Sequence, residues 1–283
     1  MDASVVSHLR CPACRQPLSA GDRTVHCPDG HSYDLARQGY VDLSGGRVTH
    51  DGDTAPMVAA RTGLLRAGHL AVVTRGVIDA VTAVTASAPA GAGPGLIVDV
   101  GAGTGHHLAG VLDAAPDLVG LAVDVSKAAL RRAARAHQRL AAVRADIWRG
   151  LPVATGAASV LLDIFAPRSG PEFHRLLRPG GALIVVTPGR GHLAELVDGL
   201  GLLTVDPDKQ ERLRTGLGPW FDRSDHRELT ARLRLSAADA AAMVMMGPNA
   251  HHVGPEVLAE RLAGHPGPAT VTVAVSIDVL HPR

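Results

Sequence analysis

The sequence predicts an α/β protein built on a mostly parallel sheet, preceded by a small metal-stapled module. Three observations carry this. Short apolar runs alternate with amphipathic stretches from about residue 96 onward, the pattern of strands buried on both faces with helices between them. A glycine-rich turn, Gly101-Ala102-Gly103-Thr104-Gly105, follows the first of these runs. All three cysteines lie at positions 11, 14 and 27.

The module comes first. Cys11-Pro12-Ala13-Cys14 and Cys27-Pro28-Asp29-Gly30-His31 form two close pairs of ligand residues. Zn²⁺ takes four nitrogen or sulfur ligands in a tetrahedron, and a two-residue spacer lets one turn present two thiolates to one ion. The odd number of thiols argues against a disulfide framework, and His31 completes the set. Four protein ligands leave no position open for water, so the sequence predicts one structural zinc on Cys11, Cys14, Cys27 and His31. A piece this small cannot build a large core alone, and the metal supplies its folding energy. Loss of the metal is therefore expected to soften this module and leave the sheet domain folded.

The remaining elements follow in order. Short strands are expected at 24–26 and 40–43, then a polar, glycine-rich linker at 45–54. The apolar spacing of 55–86 predicts one or two helices broken near Gly68-His69, followed by a loop at 87–95. Strands are expected at 96–100, 118–124, 141–145, 158–164 and 182–187, with helices at 106–115, 127–137 and 172–177 between them. The tail reads as a strand at 228–235, helices at 237–246 and 255–262, and a last strand at 270–280. Residues 201–225 show no readable period. The chain thus divides into a zinc-binding module (1–45), a linker and helical segment covering the sheet's ligand site (46–90) and the sheet domain (91–283).

Composition narrows the partners. The formal net charge is +1, so global charge announces no nucleic acid. Lys127 and Lys209 are the only lysines, and the remaining positive charge is arginine. Aromatics make up 2% of the chain, which weakens any expectation of a base-stacking platform. No signal-like or membrane-length apolar run occurs, which together with a zinc–thiolate site predicts a reducing, cytoplasmic location and no membrane partner.

Elimination narrows the ligand of the glycine turn, and a resemblance then suggests one. A dinucleotide fingerprint needs Gly or Ala where His106 stands, and no Gly-Lys-Ser/Thr follows as in a nucleotide-triphosphate loop. The pattern from Asp99 to Gly105 instead resembles that of class I S-adenosylmethionine-dependent methyltransferases. That resemblance implies a Rossmann-like, seven-stranded, mostly parallel sheet. It puts the cofactor against Asp99, Gly101, Gly103, Thr104 and Gly105, with Asp124 on the ribose hydroxyls and Asp146 at the adenine. Leu177-Arg178-Pro179-Gly180-Gly181 matches the turn that precedes the fifth strand in such proteins.

The whole chain resembles the RlmA/TlrB family of large-subunit ribosomal RNA guanine-N1-methyltransferases. The matching blocks are CPAC…CPDGHSYDLARQGYVDL, GDTAPMVAARTGLLRAGHL, VDVGAGTG, LAVDVSKAALRRAAR, FAPRSGPEFHRLLRPGGALIVVTPG, RGHLAELV and MVMMGPNAHHVGPEVL. The resemblance implies methyl transfer from S-adenosylmethionine to N1 of a guanine in a domain II hairpin of 23S rRNA. Guanosine 748 and a macrolide (tylosin-type) resistance role are the favoured subgroup. It also places Leu70 and His192 by the cofactor, with 23S rRNA as partner; monomer and homodimer both remain open. Two departures stand out: Leu70 replaces an aromatic, and Gly247-Pro248-Asn249-Ala250 replaces a segment that usually contains one. Among residues after the fourth strand, Phe165 is a candidate to stack on a flipped base and Asp163 a candidate catalytic base. Arg10, Arg15, Arg23 and Arg37 of the module are candidates for RNA docking. So is the basic run Lys127, Arg131, Arg132, Arg135, Arg139 and Arg144. Two other readings stand beside this one. A small-molecule methyltransferase of antibiotic biosynthesis would share the cofactor motifs but needs no zinc module. A non-catalytic, zinc-dependent RNA-binding protein would not need the intact glycine loop and Asp124.

Overall fold

The computed structural model describes residues 1, 3–46, 48, 50, 52–86, 95–200, 216–247, 254–263 and 269–283. Most of the loop expected at 87–95, part of the linker, residues 201–215 and the Pro248–Ala250 departure therefore lie outside the described residues.

Apolar runs too long to alternate make strands covered on both faces. These are β5 (Gly95–Val100), β6 (Leu118–Asp124), β7 (Leu140–Arg144), β8 (Ala158–Ile164) and β9 (Leu177–Pro188). They pair in parallel in the order β9-β8-β5-β6-β7. The tail adds β11 (Ala269–Pro282), antiparallel to β9, and β10 (Phe221–Leu235), antiparallel to β11. This is the predicted seven-stranded, mostly parallel sheet. The order reverses between β5 and β8, where α/β sheets open a crevice at the carboxyl ends of their strands.

The sheet also has an eighth strand. Val41–Asp42 (β4), inside the metal-binding segment, pairs in parallel with β7 at the edge. The module thus contributes an edge strand to the large sheet. It begins with a short helix α1 (Ala3–Val6) and a small antiparallel sheet of β1 (Ser19–Ala20), β2 (Thr24–His26) and β3 (Ser32–Asp34). Its apolar residues Val5, Val6, Leu9, Leu18, Val25, Val41 and Leu43 are buried in one cluster with Leu96, Val98, Leu121, Val143 and Leu161 of the large sheet. Backbone bonds from Arg10 N to Pro152 O (2.9 Å) and from Ala154 N to His8 O (2.8 Å) fasten it there. The reason is topological. A parallel crossover is usually made by a helix, but the connection from β7 to β8 contains only the 3₁₀ turn Ile147–Arg149. The module covers the sheet face which that helix would have occupied. This shared core couples the module to the sheet, which bears on the expectation that the sheet domain is indifferent to the metal.

The opposite face is covered by helices: α2 (Ala55–Arg66), α3 (Ala71–Thr85), α4 (His106–Ala114), α5 (Lys127–Ala133) and α8 (Ala237–Met245) contribute to a second cluster. The remaining helices are α6 (Gly170–Leu176), α7 (Ala194–Leu200) and α9 (Pro255–Ala263). Helix α3 buries Val73, Gly76, Val77, Ala80 and Val81, one stripe at helical spacing. Gly76 lets α3 pack closely there: a Cβ would lie 2.4 Å from Leu229 Cδ1 and 2.6 Å from Ile277 Cδ1, on β10 and β11, so those side chains would have to shift. Among the described residues no single helix is long and apolar enough to cross a membrane.

Candidate active site and zinc centre

The metal-binding residues meet as the spacing requires. Ligand atoms of Cys11, Cys14, Cys27 and His31 all lie within 4.8 Å of one another. Cys14 Sγ and Cys27 Sγ are 3.6 Å apart, and Cys27 Sγ is 3.3 Å from His31 Nδ1. A tetrahedral zinc with Zn–S bonds of about 2.3 Å sets ligand–ligand edges of about 3.8 Å, so the donor set and its spacing fit zinc. Tyr33 Oη lies 3.2 Å from Cys11 Sγ, placed to donate to a thiolate and orient it as outer-shell groups do.

At the carboxyl end of β5 the chain turns through Gly101, Gly103 and Gly105, all with positive φ. Gly101 is the most constrained: with φ at +72°, its Cβ would lie 2.5 Å from the Cβ of Ala166 in the loop after β8. Asp124, at the end of β6, ties the turn together. Its Oδ2 accepts from Gly103 N (2.8 Å) and its Oδ1 from Ser126 N (2.7 Å). The ribose ligand read from the sequence is therefore also the anchor of the glycine loop. Thr104 is buried in that turn. Asp146 is buried, accepts from Trp148 N (3.0 Å) and lies 3.2 Å from His50 Nδ1. Leu70 is buried at the start of α3, in the helical cluster.

Asp99 and Asp163 lie beneath the loop. Burial first, and then the charges of Asp163 and Asp124, push the Asp99 carboxyl up to about 8. Its Oδ1 is buried with no hydrogen-bond partner among the described residues. A buried acceptor of this kind beside a positive-φ glycine cradle is suited to a cationic, hydrogen-bond-donating ligand, and S-adenosylmethionine is such a ligand. Asp163 has no accessible surface and its Oδ1 lies 2.8 Å from Arg168 Nε. The structure places this candidate base inside the protein, ion-paired with Arg168. Phe165, by contrast, is 40% exposed. Its ring lies 6.0 Å from that of His192, at the start of the segment leading into α7. His192 Nδ1 is 2.8 Å from the carbonyl oxygen of Ala274 on β11.

The sequence reading missed Arg61. On α2, its guanidinium pairs with Asp53, donates to Met246 O (2.8 Å) and passes 3.2 Å from where a Gly103 Cβ would stand. Asp53 O in turn accepts from Ser126 Oγ (2.6 Å). The helical segment at 46–90 thus covers the glycine loop through a cation. Its only sequence signal is the GDTAPMVAAR block itself. Two members of the basic run are spent internally. Arg139 donates to carbonyl oxygens of Leu112, Ala115, Pro116 and Leu118, and Arg144 pairs with Asp42 at 2.8 Å. Arg10 caps Ser7 O and Leu9 O. Arg15 and Arg149 line one small polar cleft between the module and the sheet, together with Pro12, Ser44, Asp146 and Gly150. Trp148, 55% exposed, stands beside it.

The comparisons agree with this anatomy. Residues 9–44 match the zinc-ribbon family described as "RlmA, N-terminal". Over the whole chain the protein is 48% identical to the 23S rRNA (guanine(748)-N(1))-methyltransferase of Streptomyces fradiae, covering 99% of it. It is 49% identical to a protein of Micromonospora griseorubida with a provisional name as a 23S rRNA (guanine-N(1)-)-methyltransferase, again with both chains covered fully. Among solved structures it aligns with MccD protein at 12% identity and a TM-score of 0.47, over 73% of this chain and 96% of that one. With its zinc ribbon and its glycine loop carried on one sheet, and with relatives of this closeness over its full length, the chain belongs to the family of 23S rRNA (guanine-N1)-methyltransferases.

Proposed function

We propose that this protein transfers a methyl group from S-adenosylmethionine to N1 of guanosine 748 in 23S rRNA, and that it thereby confers macrolide resistance. The observation that carries the reading is the end-to-end identity with the Streptomyces fradiae enzyme, whose name specifies that nucleotide.

The cofactor supplies an electrophilic methyl group on a sulfonium. The chain must bind it, exclude water and align an acceptor. Gly101, Gly103 and Gly105 let the backbone approach it; Asp124 holds their loop and offers its remaining lone pairs to ribose hydroxyls. Asp146 lies at the adenine end. Arg61 closes the loop from above. Guanine N1 lies on the Watson–Crick edge, so the base must leave its pair, and exposed Phe165 offers a face for it to stack on. The module docks the RNA: Arg15 and Arg149 neutralise phosphates at their shared cleft, and Trp148 takes an unpaired base beside it.

The test is mass spectrometry of 23S rRNA from cells with and without the gene, with primer extension across domain II. A methyl group on guanosine 748 only when the gene is present is the expected result. An unmodified nucleotide in cells that contain folded, cofactor-binding protein refutes the reading.

A further inference from the structure

We infer that Arg61 binds the α-carboxylate of the methionine moiety of S-adenosylmethionine, its guanidinium held ready over the glycine turn by Asp53 and the end of α8. The inference needs S-adenosylmethionine as the cofactor and does not depend on which nucleotide is methylated.

The cofactor carries a sulfonium, an ammonium and a carboxylate. The crevice meets it with carboxyl groups: Asp99, Asp124 and Asp163 lie at the carboxyl ends of β5, β6 and β8. Burial, with the charges of Asp163 and Asp124, pushes Asp99 up to about 8, which shows how crowded with acid this side is. Such a surface suits cations and hydrogen-bond donors. An anionic group on the same ligand needs a counter-charge on the other side of the turn.

Arg61 stands there. Its Nη1 lies 3.2 Å, and its Cδ 3.9 Å, from where a Cβ on Gly103 would be. Gly103 has φ at +55° and no side chain, so the guanidinium can come down onto the turn. Asp124 Oδ2 holds the same residue from the other side, accepting from Gly103 N at 2.8 Å. The two histidines that follow the turn, at the start of α4, are neutral at pH 7. Burial lowers His106; burial first, and then the charges of His106 and Arg61, push His107 down to about 3. The positive side-chain charge at this turn is therefore the guanidinium of Arg61.

The guanidinium is also preorganised. It pairs with Asp53 and donates from Nη2 to Met246 O at 2.8 Å, so two separate segments fix it. Asp53 is itself fixed. Its carbonyl oxygen accepts from Ser126 Oγ (2.6 Å), and a Cβ on the preceding Gly52 would lie 2.9 Å from Ser126 N. The Gly52-Asp53 segment thus lies close against the turn after β6. A guanidinium has five N–H donors in a planar fork. Asp53 and Met246 take two among the described residues, which leaves enough for a two-bond contact with a carboxylate. The side chain is part-buried, so its charge is partly withdrawn from water and acts more strongly than a surface charge.

The experiment is titration calorimetry of the full-length, zinc-loaded protein without RNA, with S-adenosylmethionine and with decarboxylated S-adenosylmethionine. The two ligands share the nucleoside, the sulfonium and the amine, and differ in the α-carboxylate. Wild type should bind S-adenosylmethionine about 10- to 100-fold more tightly, as charge-assisted hydrogen bonds would give. Arg61→Gln should lower its affinity for S-adenosylmethionine by about that factor and keep its affinity for the decarboxylated ligand within about threefold of wild type. Arg61→Lys retains the charge without the fork, and its preference should fall between the two. A wild-type protein that does not distinguish the ligands overturns the inference. So does an Arg61→Gln protein that keeps the wild-type preference, or one that loses both ligands equally, the result expected if Arg61 only shapes the turn. Should circular dichroism show Arg61→Gln unfolded, Arg61→Lys decides, and a preference equal to that of wild type overturns the inference. Methylation of rRNA is not read in this experiment, so failure of the guanosine 748 reading leaves its result unchanged.

Discussion

Removing the zinc, by chelation or by Cys14→Ser, should destabilise the whole molecule rather than its first residues alone. The magnitude follows from the shared core. Val5, Val6, Leu9, Leu18, Val25, Val41 and Leu43 are each at most 2% exposed and pack against β5 to β8. Full burial of a Val or Leu side chain contributes about 1.5–3 kcal/mol, so the seven together contribute roughly 10–20 kcal/mol as an upper bound. The net stability of a typical domain is only about 5–15 kcal/mol. Even a third of that loss, about 3–7 kcal/mol, should lower the melting temperature by roughly 6–28 °C in a protein of this size. The assay is thermal unfolding followed by circular dichroism, alongside release of zinc to a chromophoric chelator. One cooperative transition at a lower temperature is expected in both metal-free forms. A sheet transition that keeps its wild-type midpoint, with a separate early transition for the module, would refute the reasoning.

Three further outcomes follow from the site. Gly101→Ala forces a Cβ to 2.5 Å from Ala166 at φ +72°; calorimetry should find S-adenosylmethionine binding lost, and wild-type affinity would mean the turn has been misread. Asp99 is held up to about 8 by burial and by Asp163 and Asp124, so the native state keeps a proton that the unfolded chain has already released. Stability should fall as pH rises from the ordinary carboxylate range through about 8. Asp99→Asn should be more stable than wild type in urea at pH 9 and similar at pH 5, and parallel pH curves would contradict this. Arg15→Ala and Arg149→Ala should each weaken RNA hairpin binding and reduce its salt slope by about 1, leaving cofactor affinity unchanged; an unaltered slope would move the docking surface elsewhere.

The elements that carry chemistry were legible because their physics is local. Cys11 and Cys14 sit one turn apart, and a glycine turn after an apolar run says what it is. The five parallel strands announced themselves as continuous apolar runs. What stayed hidden depends on contacts between distant segments. Two residues, Val41–Asp42, have no pattern that could reveal a partner in β7. Strand β10 starts at Phe221 rather than 228 because its outer face meets solvent, so charged residues interrupt the alternation. Asp163 read as a strand-end carboxylate; only the fold supplies Arg168 and seals both from water. Arg61 and Asp53 acquire meaning only when α2 is laid over the glycine loop. The predicted helix at 127–137 ends at Ala133, and Arg139 beyond it turns inward to satisfy carbonyl groups that no sequence period marks.

The edge strand β4 makes the zinc knuckle and the glycine loop parts of one solid. A flexible tether would let a docked hairpin present any of several nucleotides to the methyl donor. Here the offset between the proposed docking surface and the glycine loop is fixed by strands hydrogen-bonded side by side, from β4 through β7 and β6 to β5. If the module docks the RNA as proposed, the enzyme measures as well as recognises: a guanine would be selected by how far it stands from the feature the module grips, much as a caliper with locked jaws accepts one width and rejects its neighbours.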